Sequence, residues 1–262
     1  MFTTDFVFDG KRASDMGLVI CSFDDERQPA TGGEVEFEVV KPPENDKFEF
    51  YGAQYTSPLE WNISIMKNPC KYEENLYFTN EDERMIYKWL QQRDGYHWFC
   101  FCEKDEDAEV FFQVKINLQP HVVSGHTIGF DMIITANSAF GYSALKKKKA
   151  TINKNTSFTL YIDTDTNAYI LPEFNITGSG TFYISNNNDP KRNHVNKTAA
   201  DFKSVSGTIY MNSEFGVIDG VEPENFNWRF LRLVDGKNVF STDSANNITL
   251  EIFYREVRRI AV

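Results

Sequence analysis

The sequence lacks a long apolar run, and this absence excludes a helical membrane protein. No stretch approaches the roughly 20 apolar residues that a membrane-spanning helix requires, and residues 1–5 lack the basic start and apolar core of a signal peptide. We therefore expect the chain to fold in a reducing cytoplasm, with no membrane partner. Cysteine is also scarce. Cys21, Cys70, Cys100 and Cys102 have no framework spacing, so all four are predicted to be small buried residues outside any disulfide.

Motifs of enzymes and metal sites are missing as well. The sequence contains no nucleophile elbow, zinc-protease helix, phosphate loop or dinucleotide-binding glycine pattern. Residues 163–167 begin like a calcium loop, but Ala168 replaces the required glycine and Phe174 occupies the position of the bidentate carboxylate. We predict that the protein is not an enzyme and holds no cofactor or metal. A cell-wall hydrolase stays open, because two of the 38 acidic residues could form a catalytic pair.

Basic residues are scarce in the first part of the chain. Up to Leu145 there are 12 Lys and Arg against 25 Asp and Glu, a net charge of −13, whereas the remainder has 15 against 13, a net charge of +2. The acidic first part argues against nucleic-acid binding, because phosphate contacts need cations. Charge and composition change over residues 136–149, where four consecutive lysines are predicted to form a solvated linker. We therefore expect two domains, 1–140 and 141–262.

Helical patterns are rare, whereas 23 Phe and 12 Tyr favour β structure. Apolar and polar residues alternate over residues 59–65, which predicts a strand. Thr79 and Asp82 have the spacing of a capping box, which predicts the start of one helix whose buried face includes Met85 and Trp89. After residue 149, short apolar runs separated by Asn, Gly, Asp and Pro clusters predict a β-sandwich. Its predicted strands are 158–162, 168–171, 181–185, 205–211, 226–234 and 248–254. The fold class is therefore mainly β, with a β-sandwich-like N-terminal domain that carries one packed α-helix and a C-terminal β-sandwich.

An acidic strand face is the first candidate functional feature. Glu34, Glu36 and Glu38 alternate with Val35 and Phe37, so the carboxylates are predicted to lie on one face of a strand. That face is expected to meet water or the lumen of an assembly.

A partial sugar-binding motif is the second candidate functional feature. Galectins hold galactose with a His-x-Asn-x-Arg strand and a stacking tryptophan. Here His194 and Asn196 match, but Thr198 stands at the arginine position. Trp228 alternates with Phe226 and Phe230, which favours packing in a core over stacking on a sugar. Glycan contact through Trp228, His194 and Asn196 stays as the alternative.

Several short motifs follow one another in a distinctive order along nearly the whole chain. They are Phe6-x-Phe8-Asp9-Gly10-Lys11, Ser14-Asp15-Met16-Gly17-Leu18, Ser57-Pro58-Leu59-Glu60-Trp61, Glu83-Arg84-Met85-Ile86-x-x-Trp89-Leu90, Asn246-Asn247-Ile248-Thr249 and Ile252-Phe253-Tyr254-Arg255. In order, spacing and total length, the chain resembles the distal tail protein (Dit) family of long-tailed, non-contractile bacteriophages that infect Gram-positive hosts.

The resemblance implies a structural protein of the virion, synthesised in the host bacterial cytoplasm, that forms a hexameric baseplate hub at the tail tip as single or stacked rings. The N-terminal domain would surround the channel, with DNA only as passing cargo, and would join the tail tube protein to the tail-associated protein (Tal). The C-terminal domain would be a galectin-like β-sandwich that anchors receptor-binding or other baseplate proteins. In such a ring Glu34, Glu36 and Glu38 suit the lumen. The alternative is a carbohydrate-binding module for host cell-wall glycan.

Overall fold

Two compact units make up the chain in the computed structural model. The model describes residues 5–23, 31–43, 46–72, 75–91, 94–102 and 109–259. The first unit comprises residues 1–142 with 259–262, and the second comprises residues 143–258. Each unit has a separate apolar core. A charged turn predicted at residues 103–107 lies outside the described residues.

The first unit is built on a seven-stranded sheet with the order β2-β1-β7-β8-β9-β6-β3, whose neighbouring strands are antiparallel. Its described elements are β1 (Asp5–Phe8), β2 (Lys11–Arg12), β3 (Leu18–Cys21), β4 (Val35–Val40), β5 (Glu49–Tyr55), β6 (Glu60–Lys67), α1 (Asn80–Leu90), β7 (His97–Cys102), β8 (Phe112–Val123), β9 (His126–Ala136) and β10 (Gly141–Tyr142). The sheet forms because apolar residues alternate along its strands. In β8, for example, Val114, Ile116 and Leu118 are buried while the residues between them point outward.

Helix α1 begins at the predicted capping box. The Thr79 hydroxyl accepts a hydrogen bond from the Asp82 backbone N–H (3.2 Å), and the Asp82 carboxylate accepts one from the Thr79 N–H (2.9 Å). Lys67 of β6 donates from Nζ to Asp82 Oδ2 and to the Tyr77 carbonyl oxygen, each at 2.8 Å. Burial alone would raise the pKa of Asp82, but the hydrogen bonds from Lys67 and Thr79 outweigh it and lower that pKa. The cap therefore joins the helix to the sheet.

The apolar face of α1 is narrower than predicted. Ile86, Trp89 and Leu90 are buried, and the Trp89 indole N–H donates to the Phe8 carbonyl oxygen at 3.1 Å. Met85 is 48% exposed, so its predicted burial is wrong. It lies at the edge of the apolar stripe formed by Ile86, Trp89 and Leu90.

The cysteines follow the prediction in part. Cys100 and Cys102 of β7 are buried, and burial raises the pKa of the Cys100 thiol to about 11. Cys21 is half-buried. Cys70 is exposed, because it lies in the turn that follows β6, and its predicted burial is wrong.

The second unit is a β-sandwich without an α-helix in its described residues. Its elements are β11 (Lys146–Ile152), β12 (Phe158–Ile162), β13 (Glu173–Asn186), β14 (Ala200–Asn212), β15 (Val217–Asp219), a 3-10 turn (Pro223–Asn225), β16 (Gly236–Thr242), β17 (Ile248–Tyr254) and β18 (Val257–Arg258). The main sheet has the order β11-β17-β13-β14-β15, and β12 with β16 joins it through β13. The predicted fold class, mainly β with one packed helix and a second β-sandwich, is confirmed. None of the described helices is long and apolar enough to cross a membrane.

Three predicted segments of the second unit are wrong. The lysine run is not a linker: it lies in β11, paired with β17, and Lys147 and Lys149 contact Glu251 at 3.3 and 2.8 Å. Residues 168–171 and 226–234 are not strands. They are irregular segments with isolated bridges, because neither has a continuous partner strand, although both contribute side chains such as Ile170, Leu231 and Leu233 to the core.

Candidate assembly surfaces

Strands β4 and β5 form a hairpin that pairs with no other described strand. Register runs from Val35 opposite Tyr55 to Val40 opposite Glu49, with a bulge after Glu38. At its base, Thr31 and Glu60 exchange two backbone hydrogen bonds of 2.8 Å each. The hairpin is thus anchored to the sheet at one end and extends from it as a two-stranded ribbon.

Aromatic side chains on this ribbon are exposed. Phe37 is 63% exposed, Phe50 is 64% exposed, and their ring centroids are 6.1 Å apart. Phe48 and Tyr51 are exposed to a similar extent. Apolar and polar residues alternate in β4 as predicted, but among the described residues the only ring contact of the ribbon with the rest of the unit is that of Tyr55 with Phe140 at its base, and the residues beyond are exposed on both faces. We call residues 35–40 with 48–55 the aromatic hairpin.

The three candidate acidic residues lie on or next to the same hairpin. Glu36 and Glu38 are exposed on β4, and exposed Glu34 directly precedes the strand, where its carbonyl oxygen accepts a hydrogen bond from the Thr56 N–H at 3.1 Å. No lysine or arginine of the described chain forms an ion pair with any of the three carboxylates. They therefore present uncompensated negative charge. Their place in a lumen stays a prediction.

Trp228 lies on the surface of the second unit, and its predicted packing in a core is wrong. Its side chain is 54% exposed and its backbone has φ of +57°. In a strand, alternation would have buried Trp228 with Phe226 and Phe230. The left-handed conformation breaks that alternation, so the indole points outward while its ring still contacts those of Phe226 and Phe230, at centroid distances of 5.9 and 6.4 Å.

The other two candidate sugar contacts serve the loop in which they lie. His194 Nδ1 is 3.1 Å from Asn187 Oδ1, and its ring stacks on Tyr183. Asn196 donates from Nδ2 to the Pro190 carbonyl oxygen at 2.8 Å. Neither residue has a hydrogen bond or ring contact with Trp228 in the described part of the chain, so the structure does not bring the three together through direct contacts.

One exposed aromatic residue was missed by sequence reasoning. Phe215 is 72% exposed at the turn between β14 and β15. The Asn212 side-chain oxygen fixes this turn by accepting hydrogen bonds from the N–H groups of Glu214 (3.0 Å) and Phe215 (3.1 Å). The signal was an aromatic residue inside the turn sequence Asn-Ser-Glu-Phe-Gly. In the described chain, no group of three His, Cys, Asp or Glu side chains is arranged to hold a metal ion.

Comparison with known proteins identifies the family. The family model for a phage tail protein N-terminal domain matches residues 1–138. The family model for a phage tail C-terminal domain matches residues 140–254. No curated protein matches the sequence.

Two solved structures share the fold. One is the crystal structure of the Dit (gp 19.1) protein of phage SPP1, titled a paradigm of the hub adsorption apparatus in phages that infect Gram-positive bacteria. It is 11% identical over 97% of this chain and 99% of that chain, with a TM-score of 0.58. The other is a chain of the phage p2 baseplate in its activated conformation with Sr, 9% identical over 96% of this chain and 98% of that chain, with a TM-score of 0.51. The resemblance to the Dit family is thus confirmed, and because the family models match both parts of the sequence, the chain belongs to a family of phage tail proteins.

Proposed function

We propose that this tail protein forms a hexameric ring, the baseplate hub, at the distal end of the tail. The aromatic hairpin carries the proposal. An isolated two-stranded ribbon is marginally stable in water, and one with exposed aromatic rings needs a covering surface. A neighbouring copy supplies that surface when the hairpin of each subunit docks on a different patch of the next, which is the type of contact that closes a ring. Six subunits is the number that the resemblance to the Dit family implies.

The rest of the role follows from the same family resemblance. Residues 1–140 form the ring and join the tail tube protein to the tail-associated protein, and residues 141–262 anchor receptor-binding or other baseplate proteins. The protein acts by assembly and performs no catalysis. It is made in the host bacterial cytoplasm and resides in the virion, at the tail tip.

The acidic residues of the hairpin suit a channel through which DNA passes. No lysine or arginine among the described residues pairs with Glu34, Glu36 or Glu38, and carboxylates repel phosphates within about 10 Å at ordinary salt. A reconstruction of the ring by electron microscopy tests this part alone. If the three residues lie outside the channel, the lumen role is rejected while the hub role stands.

The ring itself is tested by the solution mass of the full chain and of a hairpin variant. Wild type is expected at six times the 30.3 kDa chain mass, or at twice that for two stacked rings. The double variant Phe37→Ser and Phe50→Ser is expected to be monomeric, because it removes the apolar contact. Tyr161→Ser is the matched control, since Tyr161 is 70% exposed on a strand of the second unit. A hairpin variant with the mass of the wild-type ring would refute the proposed contact.

A carbohydrate-binding module remains the second candidate, and the exposure of Trp228 favours it, because an exposed indole can stack on a sugar ring. Retention of the full chain on host cell-wall polysaccharide, lost in Trp228→Ala, would support it. No retention of wild type would reject it.

A further inference from the structure

The backbone at Trp228 is strained, and the strain holds an aromatic side chain in solvent. A bulky residue with positive φ is a backbone outlier. Its conformation lowers the stability of the fold by about as much as one hydrogen bond raises it, so it persists only where neighbouring contacts impose it. Such residues concentrate at binding sites. The observation raises the question of what imposes this conformation.

Side chains on both sides of Trp228 fix its backbone. Asn227 donates from Nδ2 to the Ala199 carbonyl oxygen at 2.7 Å, and its Oδ1 accepts from the N–H groups of Asp201 (3.1 Å) and Arg229 (3.2 Å). On the far side, Arg192 donates from Nε to the Phe230 carbonyl oxygen at 3.1 Å. Four hydrogen bonds thus hold the segment 227–230. Trp228 is therefore presented in a preorganised position, which lowers the entropy cost of binding through it.

The turn that carries Phe215 lies beside this segment. A methyl group placed on Gly216 would be 3.9 Å from Phe230 Cε2, and the Phe230 ring in turn contacts Trp228. Gly216, the residue after exposed Phe215, therefore lies close to the half-buried Phe230 ring that Trp228 contacts. We define the Trp228 patch as Phe215, Trp228, Phe230, Arg192 and Arg229.

The patch as defined contains two arginines and no carboxylate. Arg229 is exposed, and the Arg192 guanidinium gives its hydrogen bonds to the carbonyl oxygens of Phe230 and Lys191. Neither arginine forms an ion pair with a carboxylate of the described chain. Burial, followed by the guanidinium groups of Arg232 and Arg229, lowers the pKa of Arg192. The nearby carboxylate of Asp189 is occupied by Arg232.

We propose that the Trp228 patch is a docking surface for an acidic segment of another tail protein, with Trp228 as its anchor and Arg192 and Arg229 as partners for carboxylates. Tryptophan and arginine together are the residues that dominate protein interfaces. The polar atoms beside Trp228 already hold the backbone, whereas a sugar site needs free donors and acceptors that converge on the ligand. This inference rests on the proposed role of the second unit as an anchor, and it does not depend on ring formation.

Binding to a peptide array tests the proposal. The array tiles the other tail proteins of the same phage, and it is probed with the full-length protein. We expect binding to acidic peptides, weakened at least about 30-fold by Trp228→Ala and by Phe215→Ala to a smaller extent. Arg192→Gln should weaken binding and reduce its dependence on salt. Tyr161→Ala is the control and should bind like wild type.

Three results would overturn the proposed docking surface. Absence of acidic peptides among those bound, or equal binding by Trp228→Ala, overturns the proposal. Binding of cell-wall polysaccharide through Trp228 with no peptide bound also overturns it and favours the glycan module. The solution mass is measured on the same samples. Trp228→Ala should form the same assembly as wild type. If wild type itself forms no ring, the proposed hub is rejected, whereas the proposed docking surface is not.

Discussion

Asp189 supports the segment that carries Trp228, and its removal should destabilise the second unit strongly. Its carboxylate is fully buried and accepts hydrogen bonds from Arg232 Nε (3.0 Å), Arg232 Nη2 (2.9 Å) and the Lys191 N–H (2.8 Å). Arg232 is itself 15% exposed and stacks on the Tyr169 ring at 3.5 Å. In the variant Asp189→Ala, the Arg232 guanidinium would stay buried without a carboxylate partner.

The size of the effect follows from this burial. Removing one partner of a buried ion pair costs about 3–5 kcal/mol. Domains of this size unfold with a free energy of about 5–15 kcal/mol, so the variant should lose a large fraction of its stability. The corresponding fall in Tm for the second unit is roughly 10–20 °C.

Calorimetry of the full chain measures this loss. Asp163→Ala is the matched control, because the Asp163 side chain is 89% exposed in its contact with Arg258 and should change stability by less than about 0.5 kcal/mol. The double variant Asp189→Ala and Arg232→Met should recover part of the loss, since it removes both charges. A loss below about 1 kcal/mol in Asp189→Ala, or no recovery in the double variant, would refute the reasoning.

Three further predictions concern the cap, the strained residue and the thiols. The lowered pKa of Asp82 means that its stabilising effect is full above about pH 4 and is lost as the pH falls through the folded-state value; Asp82→Asn should show a smaller acid-induced loss of unfolding free energy than wild type, and equal losses would contradict this. Trp228→Gly should leave the unfolding free energy unchanged or raise it by up to about 1 kcal/mol, because glycine adopts positive φ without strain; a loss above about 2 kcal/mol in denaturant would show that the indole packs more than it strains. With a thiol reagent at pH 8, Cys70 should be modified quickly and Cys100 slowly, since Cys100 is buried and its pKa is about 11; equal rates by mass spectrometry would count against the burial.

Local patterns predicted much of the fold. The capping box at Thr79 and Asp82 was predictable because all its contacts lie within four residues. Strand β12 has the predicted bounds, residues 158–162, because short apolar alternation between turn residues has few other solutions. The lysine run of β11 could not be assigned in the same way. Its strand depends on pairing with β17 and on Glu251, about 100 residues further along the chain.

The candidate surfaces were predictable only in part. Alternation placed Glu36 and Glu38 on one face of β4, but a sequence does not show whether the opposite face meets a core or another molecule, and Phe37 proved to be exposed. For Trp228, the alternation with Phe226 and Phe230 predicted a buried side chain, whereas the side chain is exposed. Hydrogen bonds from Asn227 and Arg192 rotate its backbone, and these depend on tertiary contacts that no local pattern encodes.

The most direct test of the ring is the solution mass of the purified protein, measured by light scattering across concentrations, with negative-stain images of the same fractions. The proposed function predicts particles of six subunits, or of two stacked rings of six, that show a central channel. A stable monomer at all concentrations would contradict it.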